Sequence, residues 1–255
     1  MKIAITGKGG VGKTTLAGTL ARYLADKSYK VLAIDADPDA NLASAVGVPK
    51  ELIKDLKPIA EMKELIAERT GVQPGTYGGM FILNPKVDDI PEKYSIEYKG
   101  VKLMLLGTFQ TAGGGCFCPE NALLKALLRH LFVARNEAVI VDMEAGLEHL
   151  GRGTTGYVNK FIVVVEPGLR SFQTARQIKV LAKELLINDV WVVGNKIQSE
   201  KDIELIKNEL NDFKILGFIP YDPLIIESDK LGTSAYDLSD TLKKSLDEIW
   251  KNIQA

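Results

Sequence analysis

Apolar positions along the chain gather into short continuous runs. The segment Phe161-Ile162-Val163-Val164-Val165 is the clearest, and 2–6, 30–35, 101–106, 138–142, 190–194 and 214–219 also read as strands. A strand that is apolar on both faces belongs to a parallel sheet covered by helices, because a sheet with one wet face alternates polar and apolar positions. Helical spacing appears between the runs at 13–27, 60–70, 120–134, 171–186 and 201–210. A last helix at 238–253 repeats Leu242, Leu246, Trp250 and Ile253. This alternation predicts right-handed crossovers and a three-layer, doubly wound, mostly parallel α/β sheet. Residues 72–100 are dotted with glycine and proline and read as an insertion hairpin or irregular stretch. No repeat or linker interrupts the pattern, so 1–255 is expected to form a single domain.

With 255 residues and 46% hydrophobic content, the chain can cover such a sheet on both faces. Its 32 basic and 33 acidic side chains create no field that would draw in nucleic acid or anchor it to a membrane. The first strand follows Met1 directly, and every apolar run is too short to span a bilayer. The expectation is a cytoplasmic protein with neither nucleic acid nor membrane as a partner.

The first strand leads into Gly7-Lys8-Gly9-Gly10-Val11-Gly12-Lys13-Thr14, which satisfies G-x-x-x-x-G-K-[ST] and opens a helix. Glycines let the backbone wrap so that N–H groups face phosphate oxygens, and the helix start adds its positive end. Lys13 is expected at the β- and γ-phosphates and Thr14 on Mg²⁺, with Thr15 counted among the nucleotide-binding residues. Two other strands end in carboxylates: Asp35 is followed by Asp37 and Asp39, and the strand at 138–142 ends in Asp142. Ligands bind at this edge of parallel sheets. Asp37 can accept a hydrogen bond from a water in line with the γ-phosphate, and Asp142 can hold Mg²⁺ directly or through water. Asp39 reads as a helix cap. After Asn195-Lys196, position 198 is Gln rather than the Asp of a guanine site, which favours ATP.

The two cysteines, Cys116 and Cys118, follow three glycines and precede a helix. A disulfide between them would close a small, strained ring. A homodimer with its axis through this loop supplies four thiolates, a set suited to Zn²⁺ or another thiophilic metal. Of the two histidines, His130 reads as a surface or packing residue, and His149 as structural or, in one nucleotide state, as a metal ligand.

The doubled lysine in Lys8-Gly9-Gly10-Val11-Gly12-Lys13-Thr14 resembles the deviant Walker A family of MinD, ParA, nitrogenase iron protein and CooC. The resemblance implies that Lys8 reaches the partner's phosphates across a homodimer, a contact worth about 10³–10⁵ in rate. It also implies that Asp37 positions the attacking water, that Gly146 contacts the γ-phosphate, and that Asn195, Lys196, Pro220 and Tyr221 lie near adenine. The segments 37–41, 58–63 and 82–87, the Cys-x-Cys loop and Ala145-Gly146-Leu147-Glu148-His149-Leu150 are similar to CooC-type ATPases in particular. That likeness implies Ni²⁺ or Zn²⁺ bound by four cysteines, two per subunit, and service to a nickel enzyme, carbon monoxide dehydrogenase or acetyl-CoA synthase. Two alternatives stay open: an Fe–S carrier or reductase of the Mrp or iron-protein kind, and a MinD- or ParA-like positioning ATPase. The mixed charges of the last helix point to docking on the sheet rather than to a membrane or DNA.

Overall fold

The computed structural model describes residues 1–74, 80–107, 118–133, 137–144, 160–185, 187 and 189–255. The apolar runs form β1 (Lys2–Gly7), β2 (Val31–Ala36), β4 (Val101–Leu105), β5 (Ala138–Met143), β6 (Lys160–Val165), β7 (Val190–Ile197) and β8 (Lys214–Pro220). A short edge strand, β3 (Ile96–Tyr98), completes the sheet among the described residues, in the order β3-β4-β2-β5-β1-β6-β7-β8. All neighbours pair in parallel except β3 on β4. The stretch 72–100, expected as an insertion hairpin or irregular stretch, ends in β3, which forms a hairpin with the predicted strand β4. It turns at Lys99 and Gly100, with φ of 45° and 75°, the two positive angles of a tight hairpin turn.

Successive residues of one strand point to opposite faces, and each face has its own core. Phe161, Val163 and Val165 join one core; Ile162 and Val164 join the other. The first core is covered by α4 (Lys63–Thr70), α6 (Pro119–Val133), α7 (Leu169–Glu184) and α8 (Glu200–Glu209). The second lies under α1 (Lys13–Asp26), α2 (Leu42–Val46), α10 (Ala235–Leu238) and α11 (Asp240–Gln254). The last helix docks as expected, burying Leu242, Leu246, Ile249, Trp250 and Ile253, and Ser239 caps its start by accepting from Leu242 N. Among the described residues no helix is long and apolar enough to cross a membrane.

The sequence pattern did not reveal α2, α3 (Lys50–Ile53), α5 (Ile90–Lys93), α9 (Pro223–Leu231) or α10. Most are one turn long, too short to show a helical period. α9 is longer but exposes Leu224, Ile226 and Leu231, so it has no clean apolar stripe.

Gly18 lets α1 and α2 touch. A Cβ there would sit 2.7 Å from the Ala45 carbonyl carbon and 2.9 Å from Val46 N, both backbone atoms that cannot swing aside. Gly18→Val should therefore push α2 off α1 and lower stability by about 1–3 kcal/mol in urea unfolding. It should weaken nucleotide binding as well, because α2 forms a wall of the cleft described next.

Candidate nucleotide site

The carboxyl ends of β1, β2 and β5 are level, with Ile5 opposite Asp142 and Asp142 opposite Asp35. The chain leaves β1 into the glycine loop and enters α1 at Gly12, which has φ of 97°. A side chain at Gly12 would strike Asn195 Nδ2 at 2.3 Å, so glycine is required for both angle and space. No side chain caps α1. The first-turn N–H groups of Lys13, Thr14 and Thr15 are left for an anion.

Lys13 is buried and lies 3.5 Å from Asp37 Oδ2. The other Asp37 oxygen accepts from Asp39 N at 3.0 Å, and Asn41 Nδ2 donates to the Asp39 carbonyl at 2.8 Å. The capping role expected of Asp39 belongs instead to Asp35. Its Oδ2 accepts from Leu42 N, the first amide of α2, at 2.8 Å, and its Oδ1 accepts from Asp37 N at 3.2 Å. Asp39 is exposed, and α2 has no side-chain cap from its own N-cap residue, Asn41. Asp35 thus fixes the loop that carries Asp37.

Asp142 is fully buried, and neither of its carboxyl oxygens has a hydrogen-bond partner among the described residues. Burial pushes its pKa up to about 7; nearby Thr14 and Lys13 temper the rise, and Asp35 and Asp37 add to it. Burial likewise raises Asp35 to about 6 despite its two backbone N–H donors. An orphaned buried carboxylate beside a threonine hydroxyl is a donor set that fits a hard divalent cation such as Mg²⁺.

A cleft of about 570 Å³ opens beside the loop. Gly10, Gly12, Lys13, Thr14 and Thr15 form one wall, Asn41, Ser44 and Ala45 a second, and Ile225, Ile226, Ser228 and Asp229 of α9 a third. The cleft is large enough for a nucleotide, with apolar side chains facing the loop. Asn195 is buried; its amide donates to the Val11 carbonyl at 2.7 Å, and its oxygen accepts from Lys196 N at 2.8 Å. Lys196 Nζ donates to the Gly10 carbonyl at 2.7 Å. Both residues grip the glycine loop itself. Pro220 and Tyr221 are exposed at the end of β8, where Tyr221 N donates to the Ile197 carbonyl at 2.8 Å. Lys8 is half-buried and Gly9 exposed at the loop tip.

Cys118 is half-buried at the head of α6, its carbonyl accepting from Ala122 N at 3.1 Å. Cys116, Gly146, Glu148 and His149 lie outside the described residues. His130 is half-buried in the last turn of α6. Among the described residues no group of three or more His, Cys, Asp or Glu is placed to hold a metal ion. The sequence reading missed Asp35 as the loop's anchor and the walls supplied by α2 and α9. Only the position of Asp35 at a strand's carboxyl end pointed its way.

The profile of the CobQ/CobB/MinD/ParA nucleotide binding domain matches residues 2–235. The chain therefore belongs to this family of P-loop ATPases, and within it to the CooC type. The carbon monoxide dehydrogenase accessory protein CooC of Rhodospirillum rubrum is 53% identical over 239 residues, covering 94% of this chain and 90% of that one. An uncharacterized ATP-binding protein of Methanocaldococcus jannaschii is 43% identical, covering 99% of this chain and 97% of its own length. Among solved structures, MinD in the MinC:MinD complex of Aquifex aeolicus superposes with a TM-score of 0.72 at 20% identity, covering 100% of this chain and 96% of that one. MinD with Mg-ADP from Pyrococcus horikoshii gives 0.64 at 21%, covering 98% and 94%. At such identities the likeness is one of fold.

The raised carboxyls predict a pH dependence in the protein free of nucleotide and divalent metal. Where the folded pKa exceeds the unfolded one, the native state holds more protons, so stability falls as pH rises. Between the ordinary carboxylate value of 3.8 and about 7, the urea midpoint should drop with rising pH. Asp142→Asn should flatten that slope and raise the midpoint at pH 8, while hydrolysis of Mg·ATP falls by about 10²-fold or more.

Proposed function

We propose that this ATPase works as a homodimer that delivers a thiophilic metal ion, nickel in the cell, to carbon monoxide dehydrogenase or acetyl-CoA synthase. One observation supports the reading: Cys118 and the phosphate loop lie at the same edge of the sheet. β4 and β5 run parallel, so the crossover between them leaves at the carboxyl edge and α6 descends from there. Cys118, at the head of α6, therefore shares an edge with Lys13, Asp37 and Asp142. The name of the relative that is 53% identical supports the client, and nickel follows from the thiolate set together with that client.

In this reading the glycine loop and first-turn amides hold the phosphates of ATP, whose base enters the cleft beside Ile225 and Ile226. Lys13 trades Asp37 for phosphate oxygens, which frees Asp37 Oδ2 to accept a hydrogen bond from the attacking water. Thr14 and Asp142 hold Mg²⁺, which when bound neutralises charge on the phosphates. Lys8 supplies a further positive charge to the partner's nucleotide, making hydrolysis depend on assembly. Cys116 and Cys118 of both subunits hold the transported ion.

Cys116→Ser combined with Cys118→Ser should abolish stoichiometric binding of Ni²⁺ or Zn²⁺ in equilibrium dialysis and leave ATP affinity intact. Undiminished metal binding would rule out the four-thiolate site. Stoichiometric iron and sulfide in anaerobically purified protein would favour Fe–S handling instead, and ATP-dependent cosedimentation with liposomes or DNA would favour positioning. Lys8→Ala should still bind nucleotide but lose about 10³-fold in kcat, with no ATP-dependent dimer in sedimentation velocity.

A further inference from the structure

Lys196 stands out on backbone grounds. It has φ of 58°, a left-handed conformation that a lysine seldom adopts, at an irregularity where the pairing of β7 with β8 shifts register between Gly194 and Ile197. Strain of this kind persists only where surrounding contacts impose it, and the contacts here are specific. The Lys196 ammonium donates to the Gly10 carbonyl at 2.7 Å and to Glu166 Oε2 at 3.0 Å. Glu166 is itself fixed, because its N–H donates to the hydroxyl of buried Ser171 in the first turn of α7 at 3.1 Å. The neighbouring Asn195 takes the next loop carbonyl, that of Val11, at 2.7 Å.

In a planar trans peptide the C=O and the following N–H point in opposite directions. Pinning the carbonyls of Gly10 and Val11 to β7 therefore turns the N–H groups of Val11 and Gly12 away from β7. Without the Lys196 bond, the peptide between Gly10 and Val11 is held only by the long bond from Val11 N to the Lys8 carbonyl at 3.4 Å, and a flip would aim a carbonyl at the place where an anion must bind. The Lys196–Glu166 pair is partly exposed, with side-chain accessibilities of 43% and 30%. Such a pair contributes little to global stability. Its geometry serves the loop rather than the fold.

We propose that Lys196 is a positioning residue. Held by Glu166 at the head of α7, it clamps the Gly10 carbonyl and so presets the glycine loop for phosphate. The idea rests on the reading of that loop as the phosphate cradle, and Lys13→Ala serves as the control for that reading.

The test measures ADP and ATP affinity by titration calorimetry, steady-state kinetics, and thermal unfolding of the nucleotide-free protein. Lys196→Met should leave the unfolding midpoint within about 2 °C and raise the Kd for ADP about five- to tenfold, with KM for ATP rising by more than kcat falls. Glu166→Gln should shift the Kd in the same direction by about two- to threefold, and the double variant should be no worse than Lys196→Met alone. Lys196→Gly relieves the backbone strain; if its affinity falls as in Lys196→Met, the side chain is responsible. Wild-type affinity in Lys196→Met or Lys196→Gly, or additive losses in the double variant, would overturn the clamp. If Lys13→Ala loses nucleotide and Lys196→Met does not, the clamp alone fails; if Lys13→Ala binds normally, the cradle reading fails with it.

Discussion

The structure depends on a cluster of like charge that the fold alone does not neutralise. Asp35 and Asp142 are almost wholly buried, Asp37 sits beside them, and Lys13 is the one cation paired with the group among the described residues. Carboxylates drawn together away from water cannot all stay ionised without compensation, which is why Asp35 and Asp142 are pushed up to about 6 and about 7. The sheet tolerates this because three strand ends and one helix start converge there, fixing the groups in place. A site of this kind is least stable when empty, and it gains most from a ligand that brings positive charge and takes up Lys13.

The remaining architecture holds short pieces in position around that cluster. α2 and α10 are one turn each and would not persist alone. Arg22 on α1 ties both down, with Nη1 donating to the Val46 carbonyl at 3.0 Å and Nη2 to Asp237 Oδ1 at 2.8 Å. Lys99 in the β3–β4 turn reaches the same carboxylate at 3.1 Å, so the edge hairpin is fastened to the helical layer as well. With Gly18 allowing close approach, α1 serves as a post against which the walls of the nucleotide cleft are set.

The sheet and the long helices were legible in the sequence because burial on two faces writes itself as continuous apolar runs, as at Phe161–Val165. The phosphate loop was legible because its chemistry demands glycine and lysine at fixed spacing. What stayed hidden depends on contacts between segments distant in the chain. Nothing local to Asp35 says that it accepts from Leu42 N, and nothing local to Lys196 says that it reaches Gly10. α9 stayed hidden for a different reason: only Ile225 packs against a core, while Leu224, Ile226 and Leu231 are exposed, so no apolar stripe forms. The Asp39 expectation failed because the cap comes from seven residues upstream, where the end of β2 aims the Asp35 carboxylate at Leu42 N, a reach that no local capping rule covers.

The fold also provides a bonded route from the 36–41 loop to the end of β4. Asp35 accepts from Leu42 N and Asp37 N through its carboxylate, while its own carbonyl accepts from Leu106 N at 2.8 Å. Leu106 lies at the root of the loop that leads to Cys116 and Cys118, and its carbonyl in turn accepts from Ala60 N at 3.0 Å. One buried residue therefore joins the loop that carries Asp37 to Leu106, just past the end of β4. Under the proposed function, a displacement of the 36–41 loop on loss of phosphate would have a path of backbone hydrogen bonds to Leu106. Close-packed cores resist graded deformation, so a signal carried along the sheet edge needs less rearrangement than one carried through it. The level ends of β2 and β4, with Asp35 opposite Leu105, are what make so short a path available.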